Sequence, residues 1–195
     1  VEGKGSIEVV KLADLGFRNG INEVIGITVG EWLNTAPLGL IVEDEKSKKA
    51  KIRLYSNHTR KNIEKKGEIW LNLIHDPVVF AICSFDDLDE SYFESFDPPI
   101  IKGSLSWCRM VAELTGPFAK LELVEGGVLR RELKAVNRGF NAIIEALVHS
   151  TRLVEFGDES LRGKVEYYLN LAMKCGGERE RKAVGIIKER VGIQL

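Results

Sequence analysis

All five prolines, Pro37, Pro77, Pro98, Pro99 and Pro117, fall within the first 117 residues, and the stretch from Phe118 to Leu195 has none. Proline fixes φ and has no N–H to donate, so it punctuates turns and strands and interrupts helices. Its distribution therefore predicts a β-rich part followed by a helical one. Hydrophobic periodicity agrees. Ile21 to Val29 and Pro37 to Val42 are β-branched or apolar runs separated by Gly30 to Ala36, and Lys51-Ile52-Arg53-Leu54-Tyr55 alternates with a period of two. Thr59 is placed to cap a short helix that runs to Lys66 and stops at Gly67, with a further strand from Glu68 to Ile74. Val78 to Phe85 suits either a strand or a helix, and Phe93 to Pro99 reads as an irregular loop. Ser104 to Thr115 and Phe118 to Val124 read as a closing hairpin, split at Gly116-Pro117 and ended by Gly126-Gly127. About six strands joined by short turns, with one inserted helix, predict a small antiparallel β-barrel rather than alternating βαβ units.

From about Arg130 the period becomes 3.6. A helical wheel gathers Leu133, Val136, Phe140, Ile143, Ile144, Leu147, Thr151 and Val154 on one side, with Arg138, Asn141, Glu145, His149 and Arg152 on the other. A second helix is expected from Ser160 to Lys174, capped by Asp158 or Ser160, and a third from Glu178 to about Arg190. The chain thus reads as α+β, with a barrel over residues 1–127 and three helices over residues 128–195.

Composition narrows the function. With 44 % apolar and 29 % charged residues the 195-residue chain has the make-up of a folded globular protein. Its formal charge of -1 lacks the basic excess that nucleic-acid binding calls for. Cys83, Cys108 and Cys175 are widely spaced, which suits neither a disulfide framework nor a metal site. The start Val1-Glu2-Gly3-Lys4-Gly5 has no basic segment followed by an apolar one, and no apolar run approaches the roughly 20 residues of a membrane helix. A cytoplasmic location away from the membrane is expected.

No dinucleotide fingerprint, Walker loop, zinc-protease motif or nucleophile elbow occurs. Three other constellations carry polar chemistry. Asn34-Thr35-Ala36-Pro37-Leu38-Gly39 is an ordinary turn into a strand, or else a strand edge whose free backbone groups can hydrogen-bond a planar heterocycle. Tyr55-Ser56-Asn57-His58-Thr59-Arg60-Lys61-Asn62 runs into a helix start. It reads either as a simple capped helix or as a site where hydroxyl, amide and cationic groups meet a phosphate at the positive end of the helix dipole. Basic residues in a first turn oppose the dipole, which an anion nearby would offset. The third is the polar face of Arg138, Glu145, His149 and Arg152, either a solvated face with paired charges or an anion site. His75, beside Asp76-Pro77, suits a turn.

The order Asn34, Ala36, Pro37, Gly39, then Ser56, Thr59, Asn62, Ile63, then Asn72 resembles the flavin reductase-like FMN-binding split-barrel superfamily. Within it, the tail motif from Asn137-Arg138-Gly139-Phe140-Asn141-Ala142 to Arg152 is similar to that of a largely archaeal family of unassigned function with a helical C-terminal domain. The resemblance implies a homodimer with FMN in a groove between the subunits. It places Asn34, Thr35, Ala36, Pro37 and Leu38 against the isoalloxazine through their backbone. Tyr55, Ser56, Asn57, Thr59, Arg60, Lys61 and Asn62 would surround the ribityl phosphate. His58 departs from the small residue many relatives carry there, and Trp32 is placed either to stack on the ring or to pack the barrel's edge. An FMN-dependent oxidoreductase fed by a reduced nicotinamide or a deazaflavin is the implied function. The alternatives are a non-catalytic FMN carrier or sensor, or a split barrel that binds haem or deazaflavin, with His58, His75 and His149 the histidines at hand for a haem.

Overall fold

The structure is a computed structural model that describes residues 11–193. The segment Val1 to Gly5, on which the reading of a leader rests, lies outside the described residues. Two compact units are formed, one of residues 11–75 with 87–132 and the other of residues 76–86 with 133–193.

In the first unit six strands close a barrel in the order β1-β2-β3-β8-β7-β4. They are β1 (Gly20–Val29), β2 (Leu33–Val42), β3 (Lys49–Arg53), β4 (Glu68–Leu73), β7 (Ser106–Thr115) and β8 (Phe118–Val128), with every pairing antiparallel. A two-stranded hairpin of β5 (Phe93–Phe96) and β6 (Pro99–Ile101) stands apart from the barrel ladder. Alternation along the strands decides which side chains point inward. In β8, for example, Ala119, Leu121 and Leu123 are buried while Lys120, Glu122 and Val124 are exposed. The interior is filled by Val24, Leu40, Ile52, Ile69, Leu71 and Met110 among others, and α1 (His58–Lys66) adds Ile63 to it. Each such fully buried aliphatic side chain contributes about 1.5–3 kcal/mol.

Four details differ from the sequence reading. β2 begins at Leu33, so only Gly30 to Trp32 turn the chain, and Pro37 lies inside a strand. Asn57, not Thr59, caps α1, its side chain accepting from the Arg60 N–H at 3.0 Å. The Phe93 to Pro99 segment is a hairpin rather than an irregular loop. Gly126 and Gly127 do not end β8 but sit within it, opposite Cys108 and Trp107. A Cβ at Gly126 would come 2.6 Å from the Trp107 carbonyl oxygen, so glycine here permits close approach instead of terminating the strand.

Asn72 secures the β5–β6 hairpin to β4. Fully buried, its amide donates to the Pro99 C=O (3.1 Å) and accepts from the Ile101 N–H (2.9 Å) and the Ser104 hydroxyl (2.9 Å). Asn72→Ala leaves those groups without partners inside the protein, and thermal unfolding should show a loss of about 3 kcal/mol.

The second unit holds four helices: α2 (Pro77–Cys83), α3 (Arg138–Phe156), α4 (Arg162–Cys175) and α5 (Glu178–Val191). The ambiguous segment after His75 is thus a helix, with Asp76 capping it, Pro77 in its first turn, and Asp76 and Asp86 paired with Arg179 and Arg190 of α5. α3 starts at Arg138 rather than near Arg130, because the Asn137 side chain accepts from the Gly139 and Phe140 N–H groups and caps it there. Leu133 and Val136 consequently precede the helix and are exposed, as is Val154. The face that packs inward is Gly139, Ala142, Ile143, Ala146, Leu147, Ser150 and Leu153, so small residues, as much as large apolar ones, mark where neighbours come close. Among the described residues no helix is long and apolar enough to cross a membrane.

Candidate functional site

The two barrel constellations meet at one end of β2. β1 and β2 pair along their whole length, whereas β3 pairs with β2 only at Leu40 and Ile41. The Gly30 N–H donates to the Trp32 C=O (3.0 Å), which sets the phase of the ladder. Asn34, Ala36 and Leu38 therefore spend their backbone groups on β1, and Thr35, Pro37 and Gly39 turn theirs to the side that β3 does not cover. Proline suits that edge, since it leaves no N–H unpaired. Backbone contact with a ligand is thus limited to alternate residues of the Asn34–Leu38 segment. Asn34, Thr35 and Leu38 bury their side chains.

The Thr35 N–H is already engaged. The Asp87 carboxylate accepts from it at 2.6 Å and from the Trp32 indole N–H at 2.7 Å, while the Leu88 N–H donates to the Thr35 hydroxyl at 3.0 Å. Sequence reasoning missed Asp87, because nothing local ties it to a residue 52 positions earlier. These bonds fix the indole of Trp32, which lies against the His58 ring with centroids 5.3 Å apart and is half exposed.

α1 begins beside this edge. Its first turn, His58-Thr59-Arg60-Lys61, contains no acidic residue. Arg60 and Lys61 direct their N–H groups to Asn57, but those of His58 and Thr59 have no partner among the described residues. From Arg53 to Lys66 the chain carries Arg53, Arg60, Lys61, Lys65 and Lys66 against Glu64 alone. Ser56 is exposed, and the Arg60 guanidinium donates to the Gly116 carbonyl at 3.0 Å. Tyr55 packs under Arg53, whose guanidinium carbon is 5.6 Å from the ring centroid.

Asn34, Thr59 and Asn62 come together, but as a polar cluster that locks α1 onto the barrel. The Asn34 amide donates to the Thr59 hydroxyl (3.0 Å) and the Thr28 hydroxyl (3.3 Å), and the Asn62 amide donates to Thr28 (3.1 Å). Thr59 is 1 % exposed and its hydroxyl is taken up by the Asn34 amide, so that hydroxyl is not presented to a ligand.

The third constellation does not form a site. Arg138, Glu145 and Arg152 are exposed, whereas His149 is half-buried and stacks on Tyr168 of α4 with centroids 5.8 Å apart. Its Nδ1 is buried without a hydrogen-bond partner among the described residues. Burial holds its pKa below the usual histidine value, with Lys164 and Arg152 adding to the depression and Glu145 opposing it. Because the folded pKa is the lower one, the unfolded chain binds the proton first. The His149 contribution to stability should be complete above about pH 6.5 and decline as pH falls through the folded pKa. His149→Gln should flatten that part of a Tm-against-pH profile. Among the described residues no group of three or more His, Cys, Asp or Glu side chains is placed to hold a metal ion.

Two family models match the sequence: the N-terminal domain of DUF447, a family described as of unknown function, over residues 22–134, and the companion DUF447 domain over residues 137–189. The chain belongs to the DUF447 family. An FMN-bound DUF447 protein from Methanosarcina mazei, known from its crystal structure, is 34 % identical with a TM-score of 0.81, covering 92 % of this chain and 99 % of that one. More distant are the FMN-binding domain of a flavin reductase-like enzyme from Shewanella baltica (13 % identity, TM-score 0.46, 64 % and 76 % coverage) and the styrene monooxygenase flavin reductase of Pseudomonas putida (13 %, 0.47, 61 % and 86 %). The DUF447 barrel of this chain is a split barrel, its pairing loosened between β2 and β3 where the candidate site lies.

Proposed function

We propose that this DUF447 protein binds FMN at the β2 edge and the start of α1, and acts as an oxidoreductase. The observation that carries the reading is the start of α1, where free N–H groups and basic side chains coincide with no acid, in a chain 34 % identical to an FMN-bound relative. The donor types suit a phosphate monoester: the His58 and Thr59 N–H groups, the Ser56 hydroxyl, and the Arg60 and Lys61 side chains all belong to the segment that opens α1. The β2 edge fits the flavin ring. The outward carbonyls of Thr35 and Pro37 can accept from the ring's imide N–H, and Asp87 holds Trp32 at the margin of that edge.

When bound, the flavin supplies the electron-transfer chemistry, and the chain's residues bind and orient it. A dianionic phosphate at the helix start also offsets the repulsion between Arg60, Lys61 and the dipole. A homodimer with FMN in a groove between the two subunits belongs to the same reading, and Ile21 and Val111, apolar and exposed on the barrel strands, are open to such a partner. A cytoplasmic location accords with redox chemistry on a soluble donor. Anaerobic mixing of the flavin-loaded protein with NADH, NADPH or a reduced deazaflavin tests the activity. Bleaching of the flavin absorbance by one donor supports an oxidoreductase, and a flavin left oxidised by all three contradicts it.

A further inference from the structure

A groove runs between the β1–β2 turn and the side of α1, lined by Glu31, Trp32, His58, Lys61, Lys65 and Lys66 together with neighbouring backbone. His58, Lys61 and Lys65 stand at i, i+3 and i+7, so they share one face of the helix, and that face looks onto the turn that carries Trp32. Lys61 and Lys65, four residues apart, repel one another. None of the three lysines has an ion-pair partner among the described residues, and the one acid in the lining is Glu31. The helix dipole accounts for basic residues in the last turn but not for gathering them with Lys61 around an aromatic wall. That wall is rigid, because Asp87 holds the indole N–H, and half of the ring is open to solvent.

A fixed aromatic surface beside the ammonium groups of Lys65 and Lys66, neither of which is assigned to the flavin phosphate, matches a flat ring joined to more than one negative charge. We infer that this groove binds the multiply anionic tail of the electron donor. The inference rests on the oxidoreductase reading and extends it to the donor's class. Two donors share that chemistry: a nicotinamide dinucleotide with an extra phosphomonoester, and a deazaflavin with a phosphodiester and carboxylate tail. NADH, which lacks the additional charge, should bind more weakly than either.

Calorimetry on the flavin-loaded full-length protein tests it, with 2′,5′-ADP, 5′-AMP and an oligoglutamyl deazaflavin as probes. Either 2′,5′-ADP or the deazaflavin should bind at least about tenfold more tightly than 5′-AMP, and which of them does so identifies the source. That affinity should weaken with added salt and fall about tenfold in Lys65→Gln/Lys66→Gln, with FMN content unchanged. Equal binding of all three probes overturns the inference, as does an unaltered affinity in the double variant. Loss of FMN from that variant overturns it too, by assigning the lysines to the flavin. A protein that binds the anionic probe through these lysines yet takes up no FMN would keep the groove and remove the flavin reading.

Discussion

In the double variant Ser56→Ala/Arg60→Ala, FMN retention should fall about a hundredfold while thermal stability stays close to that of the parent. Each side chain offers a phosphate one charge-assisted hydrogen bond worth about 1.5–3 kcal/mol, so losing both costs roughly 3 kcal/mol of binding. Neither holds the barrel together. Ser56 is exposed, and the hydrogen bond that Arg60 makes from its side chain is to a turn carbonyl at Gly116. Thr59→Val is the informative contrast. Its hydroxyl is buried against the Asn34 amide, so this change should lower stability by about 1–2 kcal/mol and affect flavin only as far as α1 shifts. Equilibrium dialysis with FMN, together with thermal melts, separates the two outcomes. Unchanged retention in the double variant would move the phosphate away from α1.

In the helical unit a large loss of stability is expected at Gly139. A Cβ built there would lie 2.4 Å from the Gly176 Cα and 2.6 Å from its N, backbone atoms that cannot swing aside. The start of α3 and the turn between α4 and α5 meet at this point. Glu180, 7 % exposed, accepts there from the Gly177 N–H (2.8 Å) and from the Asn137 amide (3.4 Å). Gly139→Ala should therefore destabilise the helical unit by about 3 kcal/mol, measured by helix-detected unfolding. Gly185, in the middle of α5, has no atom of another element among the described residues within 4 Å of an added Cβ. Gly185→Ala should act in the opposite sense, stabilising by about 1 kcal/mol through helix propensity. Losses of equal size at both sites would contradict the packing described.

Much of this was legible in the residues. The change of period marks the three helices after the barrel, and the strand alternation at Phe118 to Leu123 appears in the structure as written, but the prolines draw no clean boundary, since Pro77 opens α2 and residues 76–86 belong to the helical unit. What misled were glycines and small residues. Gly126-Gly127 carries the composition of a turn, yet serves a close strand crossing that only the partner strand reveals. On α3, Leu133 and Val136 extend an apolar stripe that the Asn137 cap cuts off, while the face that packs is marked by Gly139, Ala146 and Ser150, which carry no hydrophobic signal. At the candidate site, the sequence pattern brought Asn34, Thr59 and Asn62 to notice. Their roles separate only in three dimensions, where the Asn34 amide donates to Thr59 and Thr28 and the Asn62 amide donates to Thr28, which makes them a brace for α1. Asp87 and the lysine side of α1 became visible only when the chain brought distant segments together.

The most direct measurement is the visible absorption spectrum of the purified full-length protein, with any released cofactor identified and quantified after denaturation. FMN binding at the β2 edge and α1 predicts an oxidised flavin spectrum, or its appearance on adding FMN, saturating near one FMN per chain. A colourless protein that takes up no added FMN would contradict it.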